Sequence, residues 1–483
     1  MIATYPRLRA VLLVAFLALP GAALPADDAT ALLKRASAAM GADQLRTLHY
    51  FGKGTGAAFG QAWVPGKAWP KHNVHGFARS IDYEGAAMRE EVTRSRAEPN
   101  GGSALPLAGE QRALQFVAGT VAWNMAGPAP VPAPHTATGR IHDLWTTPHG
   151  VLKAAAKAGA GVEWRNVGGR EFAVVSFTEP GRFKATVFIN GDYLVERIES
   201  LVPNPVLGDT RTVTEFEGYR DHGGVRFPSR IRQAQGGFPV LDLEVSEVQP
   251  NVRVDVQAPE VVRAGVQRVV TTPVAKGVWF VSGGSHNSVV IEMKDHLVLV
   301  ESPLSDERAA AVLQAAKNLA PGKPVRTVVN SHSHFDHAGG LRAAAAEGAA
   351  IVTHQASKAM LERAFANPNT INPDRLAASG RKARVTGVGD RHTITDGERT
   401  VDLHAIQGSI HAQGFLMVHL PREGLLVEGD AYTPGAPPAK PNANHLNLID
   451  NIERLKLAVD RILPLHGNPV PLDDLYRAAG RKR

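Results

Sequence analysis

The 483-residue chain contains no cysteine. That excludes disulfides, thiolate metal ligands and lipid attachment through an N-terminal cysteine. Any metal site must therefore be built from histidine and carboxylate, ligands that survive oxidising conditions. The chain also lacks a membrane-spanning run. Its longest apolar stretch, Ala10 to Leu19, falls well short of the roughly 20 residues that a spanning helix requires. A long basic run is missing too. The formal net charge of +7, falling to +5 once Arg7 and Arg9 leave, is modest and interspersed, and Arg481-Lys482-Arg483 is a short tail. This balance favours anionic substrates or an anionic surface without indicating nucleic acid.

What is present begins with a leader. Arg7 and Arg9 precede the apolar stretch, Pro20 interrupts it, and Gly21-Ala22-Ala23 or Leu24-Pro25-Ala26 offers small residues for cleavage. Residues 1–26 are expected to be a signal peptide, placing the mature protein in the periplasm or outside the cell with no stable membrane anchor.

Composition shifts near residue 260, dividing the remainder into residues 27–260 and 261–483. Leu32, Leu33, Ala36, Met40 and Leu45 carry helical spacing over 28–48, with Asp27 or Asp28 as the cap. The following segment alternates as antiparallel strands, including a hairpin at Asn190-Gly191-Asp192 in which Asn-Gly is expected to supply positive φ angles. The stretch Pro128 to Pro134 reads as a loop and Leu152 to Ala158 as a short helix. His72, His75, His135, His142, His149 and His222 sit at irregular spacings, as surface or hydrogen-bonded histidines do.

The second segment carries the chemistry. After the buried strand Val325 to Asn330 comes Ser331-His332-Ser333-His334-Phe335-Asp336-His337-Ala338-Gly339-Gly340, with four metal-ligand side chains in six positions. Alternation puts His332 and His334 on one side of an extended segment, and a turn carries Asp336 and His337 toward a second point. This is one half of a dinuclear site, suited to zinc first and to iron or manganese after it. Other strands are expected at 278–281, 289–293, 296–300, 400–406, 416–420 and 425–427, and helices at 305–319, 341–348 and 449–462. His411, Asp430 and His466 each follow a strand.

Residues 30–255, through Gly224-Val225-Arg226-Phe227-Pro228-Ser229-Arg230-Ile231 and its flanking strands, resemble the half-barrel of periplasmic lipoprotein-carrier proteins. That resemblance implies a groove for lipid or acyl groups, against the plainer reading of a substrate-positioning module. Residues 265–470 resemble the metallo-beta-lactamase superfamily: His332, His334, Asp336 and His337 fit its H-x-H-x-D-H signature, with His411, Asp430 and His466 in the later ligand positions. The implied fold is an α/β (α+β) arrangement, an αβ/βα sandwich preceded by an antiparallel β-rich domain. The implied ligand sets are His332, His334 and His411 for one metal and Asp336, His337 and His466 for the other, with Asp430 bridging. Two divalent ions, zinc foremost, would share a water and lower its pKa toward about 7. Asp336 would orient that nucleophile or pass a proton to the leaving group.

Two departures bear on the reaction. Ala412 follows His411 where many relatives have threonine, which puts one bracing hydroxyl in doubt. The Asp430 bridge resembles glyoxalase II-type thioesterases and lactonases more than true beta-lactamases. The expected reaction is hydrolysis of an ester, thioester or lactone in a small-molecule substrate. The alternatives are beta-lactam amide hydrolysis and a non-catalytic envelope-binding protein with a structural metal domain. His286, His354 and His445, the last in a loop over 434–447 at the pocket rim, read as ordinary polar histidines, Tyr432 likewise as a residue outside the chemistry, and Phe415 and Met417 as core. Substrate specificity is assigned to 355–390 and 434–447, and oligomeric state stays open.

Overall fold

The computed structural model describes residues 26–97, 109–265, 268–435 and 441–483. The leader expected over 1–26 lies, but for Ala26, outside the described residues. Among these residues no helix is long and apolar enough to cross a membrane.

The first helix is Ala26–Met40, ending where Gly41 adopts φ +69°. It is shorter than the expected 28–48 because the chain turns there into the strand Thr47–Ala57. That strand lies in a thirteen-stranded antiparallel sheet. On one side it pairs with Lys71–Asp82, and the meander continues through Ala87–Arg96, Gln111–Ala118, Val121–Ala126 and Ala129–Pro132. On the other side it pairs with Phe238–Pro250, so that the first and last strands of this half of the chain meet inside the sheet. Beyond come Arg230–Gln235, Gly208–Glu217, Val195–Asn204, Phe183–Ile189, Arg170–Glu179 and Gly161–Val167. The first helix, with Ala137–Trp145 and Pro148–Lys157, covers one face; Leu33, Ala36, Met40, Leu144, Val151 and Leu152 are buried against Tyr50, Phe183 and Phe227.

Three local expectations are corrected. At the Asn190 hairpin the positive φ belongs to Tyr193 (60°) and neither Asn190 nor Gly191 adopts one. The Asn190 side chain makes the turn instead, its Oδ1 accepting from the backbone N–H of Asp192 (3.0 Å) and Leu194 (2.9 Å). The proline-rich stretch is not only a loop: Ala129–Pro132 is the sheet's edge strand, the position in a sheet that tolerates proline. The helix expected from Leu152 starts at Pro148, because Thr147 caps it, its hydroxyl accepting from Gly150 N–H at 3.1 Å.

The second half is an αβ/βα sandwich. A seven-stranded sheet runs Val270–Ala275, Val278–Ser282, Ser288–Glu292, Leu297–Val300, Val325–Val329, Ala350–His354 and Arg384–Val388. A six-stranded sheet runs Arg391–Thr395, Thr400–Ala405, Leu416–Leu420, Leu425–Glu428, Arg461–Pro464 and Val470–Pro471. The inner faces share one core of Val289, Val298, Val300, Leu403, Leu416 and Leu463. Helices Asp306–Leu319 and Gln355–Ala366 cover one outer face, Ala443–Arg454 and Leu472–Ala478 the other.

The last expected helix moves. It spans Ala443–Arg454 rather than 449–462, because Asn442 caps it through Asn444 N–H (2.8 Å) and Lys456 takes φ 52° beyond its end. His445 is therefore not on a rim loop. It is buried on this helix against the Tyr432 ring, centroids 5.1 Å apart. Residues 436–440 of the expected loop lie outside the described residues. Within 355–390 the chain is largely helical, with Gln355–Ala366 and Arg375–Ser379.

Candidate metal centre

The strand Val325–Val329 is parallel to its neighbours on both sides, and its C-terminal end delivers the histidine cluster. His332, His334 and His337 are buried. The seven residues named from the sequence come together in two groups that share Asp430. In the first, His332 Nε2 lies 2.9 Å from His334 Nδ1 and 3.1 Å from His411 Nε2. In the second, His337 Nε2 lies 3.2 Å from His466 Nε2, with Asp336 Oδ2 at 3.9 Å from His337. The Asp430 carboxylate faces both: Oδ2 is 2.9 Å from His411 Nε2, and Oδ1 is 2.7 Å from His466 Nε2 and 3.1 Å from His337 Nε2.

The outward nitrogens show what the inward ones can do. His332 Nδ1 donates to Ser331 Oγ (2.9 Å), whose hydroxyl donates to Glu301 Oε2 (2.6 Å). His337 Nδ1 donates to Glu301 Oε2 (2.8 Å), His334 Nε2 to the Ala62 carbonyl (3.2 Å) and His466 Nδ1 to the Ser285 carbonyl (3.2 Å). With the ring protons of His332, His334, His337 and His466 directed outward, their inward nitrogens are free to present lone pairs, an arrangement that a cation between them would complete. Around zinc at about 2.0–2.1 Å, ligand nitrogens stand about 3.4 Å apart, close to the spacing here. The donor set therefore fits two divalent ions.

The electrostatics agree. Burial, with His337 and His411 adding to it, holds the His332 imidazole down to about 4, and burial holds His334 well below the ordinary value, so both are neutral at pH 7, the form in which imidazole can bind a metal. Burial opposes a charge on His337, yet Asp430 and Asp336 outweigh it and hold it well above the usual range. Burial would raise the Asp336 and Asp430 carboxyls, but His337, with His286 and His411 respectively, keeps them well below. The two carboxylates thus make this pocket attract positive charge where Asp336, His337 and His466 converge.

Several contributors carry no motif. Glu301, fully buried with φ 69°, accepts from Asn330 Nδ2 (3.1 Å), Ser331 N–H (3.1 Å), Ser331 Oγ and His337 Nδ1. A lone acid closing the apolar strand Leu297–Val300 was its only sequence signal. His286, read as an ordinary polar histidine, belongs to the site: Nε2 is 3.1 Å from Asp336 Oδ2, and its ring is 4.1 Å from that of His466. It groups with Asp336, His337 and His466 as a potential ligand. His354 instead caps the helix Gln355–Ala366, its Nδ1 accepting from Ala356 N–H at 3.1 Å. Before His411, Ser409 Oγ accepts from the His411 N–H at 3.2 Å. Glu428 accepts from Ala431 and Tyr432 N–H, both at 3.0 Å, fixing the turn that presents Asp430; burial pushes its carboxyl well above the usual range.

The first sheet also reaches the site. In the segment between Thr47–Ala57 and Lys71–Asp82, Gln61 Nε2 donates to Asp336 Oδ1 (2.8 Å), and the Gly60 carbonyl accepts from Phe335 N–H (3.1 Å). The Trp63 carbonyl accepts from Gln413 N–H (2.8 Å). Phe335 packs edge-on against Phe59 and Trp69. A cavity of about 640 Å³ opens between this sheet and Asp336, Asp430 and His466.

Residues 281–476 match the family model described as Metallo-beta-lactamase superfamily. A linear primary-alkylsulfatase from Pseudomonas sp is 39% identical over 56 residues, 12% of this chain and 8% of that protein. The alpha subunit of 2,4-dinitroanisole O-demethylase from Nocardioides sp. (strain JS1661) is 24% identical over 165 residues, 34% of this chain and 47% of that protein. The chain thus spans less than half the length of either relative. Among solved structures, a metallo-beta-lactamase from Pontibacter korlensis is similar at TM-score 0.35 and 19% identity, covering 44% of this chain and 98% of that one. The FIM-1 metallo-beta-lactamase from Pseudomonas aeruginosa, in its mono-zinc form, is similar at TM-score 0.35 and 18% identity over 44% of this chain and 96% of that one.

Proposed function

Residues 281–476 form a metallo-beta-lactamase superfamily domain, a metal-dependent hydrolase, and from that premise we propose that the protein is an exported dinuclear enzyme cleaving an ester, thioester or lactone bond. The observation that carries this reading is the Asp430 carboxylate, one oxygen turned to His411 and the other to His337 and His466. A carboxylate so placed would serve both ligand groups at once. His332, His334 and His411 would hold one ion, Asp336, His337 and His466 the other, and zinc is the first candidate.

Two cations bound there supply Lewis acidity and a water acidified toward neutrality. The chain's own residues do the rest. Glu301 and Ser331 fix the tautomers of His337 and His332, and the Ala62 carbonyl that of His334. Asp336 is held from both sides, by Gln61 on Oδ1 and His286 on Oδ2, so its carboxylate is pointed rather than free. In that position it orients the attacking water and returns a proton to the leaving oxygen or sulfur. No side chain need act as nucleophile. The substrate is a small molecule, and no nucleic acid is involved.

Metal analysis of purified protein, followed by a panel of ester, thioester, lactone, sulfate-ester and beta-lactam substrates, tests the reading. About two divalent ions per chain and turnover of an ester, thioester or lactone are expected. Metal-free protein after purification in zinc-supplemented buffer would sink it. Export is tested separately by N-terminal sequencing of the protein recovered from the periplasm or medium, which is expected to begin near residue 27.

A further inference from the structure

The cavity at the metal centre continues well beyond it. From Asp336, Asp430 and His466 it runs against the first sheet, where its wall includes Val74, Phe77, Val92 and Leu241. Beside these apolar residues the same wall carries Arg79, Arg94, Glu90, Asp143 and His72. Three of the charged groups account for one another. Arg79 is bonded to Glu90, with Asp143 at 4.0 Å, and Asp143 also faces His142 Nδ1 at 3.5 Å.

Arg94 is different. Among the described residues its guanidinium has no hydrogen-bond or ion-pair partner, and its Nε is a buried donor left unmet. Burial disfavours its charge, and Glu90 offsets this only in part. His72 offers no compensation: burial, with Arg94 beside it, keeps that imidazole neutral, down to about 4. A guanidinium does not shed its proton under these conditions. An unmatched cation in a partly desolvated wall is costly unless a ligand completes it, and a guanidinium is shaped to take an oxyanion through two parallel N–H donors.

We propose that Arg94 binds an anionic end of the substrate, so that the molecule cut at Asp336 and Asp430 carries a carboxylate, sulfate or phosphate at the end away from the scissile bond. The first sheet is then the specificity half of the active site. The proposal rests on the hydrolase reading for the bond that is cut, but not for the binding of the anion.

The test uses full-length, metal-loaded protein and its Arg94→Gln and Arg94→Lys variants, with melting curves to show that each is folded. Two substrate series are compared: para-nitrophenyl monoesters of straight-chain dicarboxylic acids and para-nitrophenyl esters of monocarboxylic acids of equal length. The wild type is expected to prefer the anionic ester by about ten- to a hundred-fold in kcat/KM, the value of one charge-assisted pair. That preference should fall toward one in Arg94→Gln and persist in part in Arg94→Lys. Equal preference in wild type and Arg94→Gln overturns the proposal. If neither ester is cut, the hydrolase reading has failed for these bonds, and calorimetric binding of adipate against hexanoate decides. Each probe brings one carboxylate to the metals, and only adipate has a second for Arg94. A tighter adipate complex that is lost in Arg94→Gln supports the proposal; identical affinities refute it.

Discussion

Replacing Glu301 with glutamine is the sharpest single perturbation of the centre, because it changes one oxygen to an NH2 and leaves volume almost untouched. Four donors converge on this carboxylate. The glutamine of Glu301→Gln can keep its oxygen toward Asn330 Nδ2 and Ser331 N–H, which places its NH2 toward Ser331 Oγ and His337 Nδ1. The serine hydroxyl can rotate to accept, but the histidine cannot without moving its proton to Nε2. Nε2 is the atom aimed at Asp430 and His466, so the tautomer that satisfies glutamine removes the lone pair that a metal requires. Loss of such an outer partner typically costs about 10- to 100-fold in metal affinity, or about 1.4–2.7 kcal/mol, and the loss should fall on the ion held by His337, leaving that held by His332, His334 and His411 nearly unchanged. Dialysis against zinc buffers of graded free concentration, followed by elemental analysis, should show two equal steps in the wild type and one displaced step in Glu301→Gln. Two wild-type steps in the variant would refute the tautomer argument outright.

Other outcomes follow from neighbouring features. Gly60→Ala places a Cβ 2.7 Å from the Phe335 ring at φ +82°, so it should lower the melting temperature by the equivalent of about 2–4 kcal/mol and weaken metal binding through His334 and Asp336. Gly119→Ala, at φ +58° with nothing within 4 Å, should cost only about 1–2 kcal/mol and leave metal binding intact. His149 is fully buried, donating to the Met40 carbonyl at 3.1 Å, and burial holds it down to about 4 against an ordinary 6.5. Its folded value lies below its unfolded one, so its stabilisation is complete above pH 6.5 and declines as pH falls toward 4. Denaturant titrations should show about 2 kcal/mol of this loss between pH 6.5 and 5, absent in His149→Leu. A chelator should lower the melting temperature, by the equivalent of about 4 kcal/mol relative to zinc held at about a thousand times its dissociation constant; an unchanged melt would mean that the ions are not bound in the folded state.

The sandwich and the seven residues that gather at the candidate centre could be read in the sequence because their signals are local in it. Each strand shows its apolar run, and each of the seven lies in the segment that follows a strand. What escaped came from long separations. Gln61 reaches Asp336 across 275 residues and the Ala62 carbonyl reaches His334 across 272, and nothing near either marks the partner. Glu301 was an isolated acid in an apolar context, a sign of a buried acceptor but not of whose proton it takes. His286 looked like one of many polar histidines because its role depends on Asp336 and His466 lying beside it. The displaced helix had a simpler cause: its cap, Asn442, precedes the apolar spacing from which the helix was placed.

The proline-rich edge strand Ala129–Pro132 bears on how the molecule behaves in a crowd. Ala133 N–H turns inward to the Ala122 carbonyl, and alternation then directs positions 130 and 132 outward. Both are proline and carry no N–H. An exposed sheet edge is ordinarily an invitation to another chain's strand, but here two outward donors are missing. A sheet of thirteen strands would otherwise be a large template for intermolecular pairing, and at this end its growth stops by covalent structure, whatever the concentration.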